Sequence, residues 1–399
     1  MTTQTRTTRR TVLFATAGLA LASLVLSLVA AASLVPGLPY DEPAHWSNVQ
    51  YLLRASSLPV LGDPGVGYEA QQTPGFYVMA AIVAGLAGES AFVAVRMLSA
   101  VGQGILVALT ALILWPVTRR NVLATIAGAA FIALNPMLIV MSGSVQNDTW
   151  ALVWGFAAIA LAVRSTRMPR WLHAVLVGVL VALAVLTKLS LAPLLLGLVF
   201  AWLLRRRVLE PLVAVATVAV LTGWWFVRNL VLYGDLTGQS AVALTGAEFQ
   251  NEPLGPLALA RTVLTYLTVP TEYLRNTIQA PVWVDAAAAA VGLVLVVGIV
   301  AICLRWRRAY AAWPLTAVAA VAVVSVVAWL VQVQFGWPVA FRTAYAALPF
   351  FALAAGAAVT LPRARWAGWT VLGVTSALQL AVLAWTAVTV SSLALTSLL

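Results

Sequence analysis

Long apolar runs separated by short polar connections fill this chain from end to end, and most have the length of a membrane-crossing helix. About 20 apolar residues cover a ~30 Å hydrocarbon core. Eleven segments answer that description, at about 11–35, 91–117, 122–143, 148–163, 171–187, 190–204, 209–231, 283–304, 312–334, 343–361 and 367–390. A further apolar segment at 74–88 is only ~22 Å long as a helix, and is placed in or dipping into the outer interface. The pattern predicts an all-α polytopic membrane protein with about eleven transmembrane helices and outer-face juxtamembrane helices. No stretch is polar enough for a separate soluble domain, so residues 1–399 read as one unit. Two long polar segments, 36–90 and 229–282, stand on the outer side.

Composition agrees: 62% of residues are hydrophobic and 9% charged, against about 25% charged in soluble domains. The net charge is +11, but the basic residues flank apolar spans, so positive-inside placement accounts for them and nucleic acid does not. Arginine clusters at 119–120, 164–170, 205–207, 305–308 and 363–365, all set in the cytoplasm, fix the topology. Arg6, Arg9 and Arg10 precede a run longer than a cleavable signal core, which reads as a retained signal-anchor. The expected setting is the plasma (inner) membrane, with a cytoplasmic N-terminus. Of twelve acidic residues, only Glu210 then falls inside; the others, Glu248 and Glu252 among them, face out. Acids contribute little to orientation, so the skew marks an extracytoplasmic working surface. The one cysteine, Cys303, excludes an intrachain disulfide. Neither a P-loop nor a dinucleotide fingerprint occurs, so an activated substrate is expected to arrive through the membrane.

Several polar residues are then candidates for chemistry. Asp41 and Glu42 adjoin at the end of the first span; they either favour a helix start by charge or supply a general base. His45 lies one turn on. Tyr68, Glu69, Gln71 and Gln72 close the same outer segment, the two glutamines with amide donors and acceptors suited to sugar hydroxyls. Asn147 and Asp148 either cap the fourth span or bring a second acid opposite Asp41. Lys188 is the only lysine; it snorkels or binds an anion. Arg228 follows Trp224-Trp225, and Arg342 follows Trp337-Pro338. Each arginine is either an interfacial anchor or part of a phosphate clamp. Arg54 and Arg96 are also outside, in weaker contexts.

In this order the residues resemble the C-type membrane glycosyltransferases, particularly the protein O-mannosyltransferase and aminoarabinose-transferase-like group. The resemblance runs from Asp41 to about Gly356. It rests on Asp41-Glu42, Gln72-Thr73-Pro74-Gly75-Phe76-Tyr77, Asn147-Asp148, Leu186-Thr187-Lys188, Trp224 to Asn229 with Tyr233-Gly234-Asp235, and Phe341-Arg342-Thr343-Ala344-Tyr345 before Leu348-Pro349. It differs from the usual pattern at Thr73-Pro74-Gly75 and Phe341-Arg342-Thr343, and no large periplasmic domain follows the last span. The resemblance implies the C-type glycosyltransferase fold, a polyprenyl-phosphate sugar donor used at the outer face, and Asp41 at the position of the catalytic carboxylate.

The expected reaction is inverting transfer of a monosaccharide to an acceptor hydroxyl. Asp41 acts as base beside Glu42; His45, Tyr68, Glu69, Gln72, Asn147 and Asp148 bind substrate; Lys188, Arg228 and Arg342 bind the donor phosphate. The partners are the lipid-linked donor, membrane lipids, and a glycan, lipid or protein acceptor. No cofactor is required, a divalent ion (Mg²⁺ or Mn²⁺) between Asp41 and Asp148 being the alternative. The rival reading is a lipid-linked-sugar transporter or flippase, which would place its charges near the midplane of two repeated halves.

Overall fold

A computed structural model of the chain describes residues 3–164, 167–245, 254–334, 340–362 and 364–396. Glu248, Glu252, Trp337, Pro338 and Arg363 lie outside them. The described residues form helices and connecting turns, with no strand. In chain order the helices are α1 (Thr3–Ser33), α2 (Glu42–Ala55), α3 (Gly75–Ala87), α4 (Ala91–Val117), α5 (Val122–Ala133), α6 (Pro136–Ser142), α7 (Asp148–Ala162) and α8 (Arg170–Thr187). There follow α9 (Ala192–Leu204), α10 (Leu209–Tyr233), α11 (Pro256–Thr268), α12 (Val282–Ala309), α13 (Ala312–Gln334), α14 (Leu348–Val359) and α15 (Arg365–Thr396).

Among the described residues, eight helical stretches are long and apolar enough to cross a membrane, nine if α5 and α6 form one bent span. Helix α7 and the stretch Leu189–Leu204 are shorter apolar helices. Each of the eleven expected segments falls on an apolar helical stretch, nine of them on stretches long enough to cross when α5 and α6 are taken together. The 51° bend between α5 and α6 has a local cause. Pro136 lacks an N–H and holds Asn135 extended, and the Asn135 side chain then accepts from Leu138 N at 3.1 Å to start the next helix. Asn135 also donates to Leu267 O at 2.7 Å, tying the bend to α11.

Helix α4 runs through the middle, packed against α1, α5 and α7. Close approach elsewhere depends on small residues, as in membrane helix packing. A Cβ at Gly128 of α5 would fall 2.5 Å from the Ala352 carbonyl of α14, and one at Gly197 of α9 would meet the Val321 backbone of α13 at the same distance. Large apolar side chains such as Phe14, Val220, Leu293 and Val323 point outward, as lipid contact requires.

The segment expected to lie along the interface is α3. A turn at Gly88–Ser90 joins it to α4, with Gly88 at a φ of +57° that suits glycine, and the two helices form one apolar stretch, Gly75–Val117. Phe76, Tyr77, Ala80 and Ala84 of α3 pack with Val49 of α2 and Val95 of α4 into a small core of their own. This places the end of the 36–90 segment beside the starts of α7 and of the 341–347 turn.

Candidate active site

Asp41 precedes α2 but makes no capping hydrogen bond with its side chain. Its carboxylate instead accepts from the Tyr68 hydroxyl at 2.6 Å and pairs with the Arg342 Nη2 group. The other guanidinium nitrogen of Arg342, Nη1, pairs with Asp148 Oδ2 at 3.1 Å, and Lys188 Nζ holds Asp148 Oδ1 at 2.8 Å. Asn147 likewise leaves its helix start uncapped; it accepts from Lys188 at 3.1 Å and donates to Gln72. Residues from positions 41, 68, 72, 147, 148, 188 and 342 thus make one continuous polar network. Lys188 reaches it because α8 stops at Thr187 and the next residue is extended, at φ −155° and ψ 122°.

The network is nearly closed to water: Asp41 and Asp148 are 3% and 2% exposed, and Lys188 is 7% exposed. Burial of a charge is costly unless it is paired, and here two carboxylates face two cations. Burial alone would raise the Asp41 carboxyl, but Arg342, His45 and the hydrogen bonds from Arg342 and Tyr68 hold it far below the usual carboxylate range. Tyr68 is pushed up by burial and by the charge of Asp41, so its hydroxyl remains a donor.

Glu69 behaves oppositely. Burial, then the Asp41 charge, outweighs Lys188 and Arg342 and pushes its carboxyl up to about 8. Its Oε2 has no hydrogen-bond partner among the described residues, and the same holds for His45 Nε2, Gln71 Oε1 and Thr73 Oγ1. His45 Nδ1 sits 2.8 Å from the Tyr77 hydroxyl. Burial, opposed by Asp41 and reinforced by Lys188 and Arg342, brings His45 down to about 4, so the ring is neutral near pH 7. Such unpaired groups, buried within the 36–90 segment, are suited to a polar ligand.

Two expected site residues do something else. Glu42 is fully engaged by the fold: Oε1 accepts from Arg96 Nε and Val145 N, both at 2.8 Å, and Oε2 from Arg96 Nη2 at 2.6 Å and Gly37 N at 2.9 Å. Arg96 also donates to Ala31 O and Leu34 O at the end of α1, at 3.1 and 2.7 Å. The Glu42–Arg96 pair therefore fixes the backbone that carries Asp41. Arg228 is not brought to the carboxylates. It donates to Pro59 O at 2.7 Å and lies over the Trp225 ring, while the nearby Tyr233 hydroxyl accepts from Leu61 N at 3.1 Å. Together they pin the 59–61 stretch onto the end of α10.

Sequence reasoning underweighted Arg96, although a lone charge inside an apolar span is itself a signal. It missed Tyr273, which lies beneath the Arg342 guanidinium and hydrogen-bonds the Ser144 hydroxyl at 2.7 Å. Nothing in the local pattern around Tyr273 marks it. Among the described residues no group of three or more His, Cys, Asp or Glu is arranged to hold a metal ion.

Residues 59–234 match the family model described as dolichyl-phosphate-mannose-protein mannosyltransferase. No curated protein matches the chain by sequence. Its fold is similar to that of ArnT from Cupriavidus metallidurans in the apo state, with a TM-score of 0.59, 16% identity, and coverage of 88% of this chain and 60% of that one. It is likewise similar to the Archaeoglobus fulgidus oligosaccharyltransferase in the apo form, with a TM-score of 0.57, 16% identity, and coverage of 93% and 56%. The chain thus spans under two thirds of the length of the solved structures it matches. It is a multi-span helical protein with the C-type glycosyltransferase fold, and its residues 59–234 carry the sequence pattern of the mannosyltransferase family.

Proposed function

We propose that the protein transfers a monosaccharide from a polyprenyl-phosphate donor to an acceptor hydroxyl, with inversion, at the extracytoplasmic face of the membrane. The observation that carries this reading is the buried bridge in which Arg342 and Lys188 hold Asp41 and Asp148 together. Two cations at one end of a lipid-embedded bundle suit a lipid phosphate, and Asp41 beside them suits a proton acceptor. The acceptor oxygen attacks the anomeric carbon and its proton passes to Asp41. The carbon–oxygen bond to the phosphate breaks, and polyprenyl phosphate departs with the electron pair. Lys188 and Arg342 stabilise the charge that develops there. A similar structure, of ArnT, contains undecaprenyl phosphate, and one of AglB contains a dolichol-phosphate and an inhibitory peptide.

The resting bridge suits this sequence of events. Paired with Arg342, Asp41 is ionised but weakly basic. A donor phosphate that draws the guanidinium away removes the influence that holds its carboxyl low, and so makes the base stronger when substrate is present. Glu69, neutral near pH 7, donates to a sugar hydroxyl, while Gln72 and Asn147 keep Lys188 in place. Glu42 and Arg228 act through the backbone they fix. Lys188 and Arg342 occupy the positions around Asp41 and Asp148 that a divalent ion would need, so transfer proceeds in the presence of chelator.

A second reading is favoured by one observation. Glu69 has a carboxyl at about 8 and an oxygen without a partner among the described residues, both fitting a base poised near neutrality. Purified protein given a labelled lipid-sugar donor and an envelope acceptor extract tests the main proposal. Release of polyprenyl phosphate, with chelator present, is the expected result; a donor left intact supports transport without chemistry.

A further inference from the structure

A second charged concavity lies at the other end of the bundle. Helices α4, α7 and α8 each have a site residue near one end (Arg96, Asp148 and Lys188) and an arginine at or just beyond the other (Arg119, Arg164 and Arg170). Helix α4 alone separates its two ends by about 40 Å. Between the helix ends is a cavity of about 690 Å³ lined by Arg119, Arg120, Arg164, Arg170, Arg205 and Arg207. Among the described residues Glu210 is the one acid in its wall. It is 2% exposed and paired with Arg207 at 3.2 Å and Arg170 at 4.0 Å, so the cavity keeps a large cationic excess.

Membrane insertion requires basic residues near the ends of spans; it does not require three inter-helix connections to aim six arginines at one cavity. Two features show that the arrangement is built. Arg119 and Arg120 adopt φ of +50° and +68°, a conformation that favours glycine or asparagine. Arg119 is held there by donating to Tyr310 O at 3.0 Å and Arg307 O at 3.2 Å. Arg205 and Arg207 both lie over the Trp313 ring, at 5.2 and 5.9 Å, which restrains two flexible side chains beside the cavity. Guanidinium groups fixed in this way match phosphate oxygens.

We propose that this cavity binds the phosphate headgroup of an anionic phospholipid from the leaflet at that end of the bundle. The chemistry recognised is a phosphate ester, and Leu203, Leu204 and Leu212, close in sequence to Arg205 and Glu210, are exposed, an apolar surface on which acyl chains would continue. The site is independent of sugar transfer.

The test uses full-length protein in a neutral detergent, with native mass spectrometry counting bound phosphatidylglycerol against phosphatidylcholine. Wild type should retain phosphatidylglycerol in preference. The triple variant Arg120→Gln, Arg164→Gln, Arg205→Gln should lower its affinity on the order of 100-fold, with sugar transfer unchanged. Arg120→Lys, Arg164→Lys, Arg205→Lys keeps the charge needed for insertion and should keep most of the preference. Equal retention of phosphatidylglycerol by wild type and the glutamine variant, or of both lipids by wild type, would overturn the proposal. Inorganic phosphate is added as a competitor. If it saturates the site while phosphatidylglycerol does not bind, the lipid source is refuted.

Discussion

Arg342 is the residue whose removal separates structure from chemistry most clearly. Its two guanidinium nitrogens join Asp41 and Asp148, and its side chain is 11% exposed. The network balances two ionised carboxylates against two cations, so Arg342→Gln leaves one buried negative charge uncompensated. Breaking a buried pair in this way costs about 3–5 kcal/mol, a large part of a typical 5–15 kcal/mol of stability, so the melting temperature in detergent should fall. The catalytic cost is distinct. Losing a donor aimed at developing charge lowers kcat about 10²–10³-fold, measured per folded molecule as polyprenyl phosphate released from labelled donor. Burial would then dominate Asp41, its carboxyl would rise, and the acid limb of the rate profile would move to higher pH. Arg342→Lys keeps a charge but cannot reach both carboxylates with one nitrogen, so it should rescue stability more than rate. A folded Arg342→Gln protein with unchanged kcat and an unmoved acid limb would refute the reasoning.

Other outcomes follow from the same contacts. Glu69 has its carboxyl at about 8, so it is protonated at neutral pH and ionises above that value; transfer should fall as pH rises through about 8. Glu69→Gln should stay active and lose that alkaline fall, whereas an inactive Glu69→Gln whose parent gains rate up to pH 8 would make Glu69 the base. For stability the sign is the same: the raised carboxyl favours the fold fully below its unfolded value of 4.5, and this contribution is lost as pH rises from there through about 8, visible as a falling melting temperature that Glu69→Gln flattens. Arg96→Leu should destabilise the protein by about 3–5 kcal/mol in a detergent melt, because Glu42 would be stranded. The double change with Glu42→Met should recover much of that loss, and no recovery would contradict a purely positioning role for the pair. Activity should survive chelation; loss with EDTA and rescue by Mg²⁺ or Mn²⁺ would instead place an ion between Asp41 and Asp148.

Much of the fold was legible because lipid imposes a simple rule. Runs such as 209–231 and 312–334 must be helical to satisfy their backbone in hydrocarbon, and the structure has α10 and α13 there. The bend at Asn135-Pro136 follows from proline chemistry, although the apolar pattern at 122–143 reads as one span. The meeting of Asp41, Asp148, Lys188 and Arg342 followed from charge economy, since buried charges in a chain 9% charged need partners. Charge economy does not say which partner. Glu42 looked like half of a catalytic pair, yet Arg96, more than 50 positions away, takes it; Arg228 shared the expected end of the bundle but turned to the Pro59 carbonyl. Tyr273 had no signal because its role depends on how the 270–278 turn folds against Tyr40 and Ser144.

The measurement that tests the central claim most directly is polyprenyl phosphate release by Asp41→Asn beside wild type, on protein shown to be folded by its melting transition. Asparagine preserves the shape at Asp41 but cannot take a proton, so release should fall by about 10²–10⁴-fold while labelled donor still binds through Lys188 and Arg342. Release within a few-fold of wild type would contradict the assignment of Asp41 as the base.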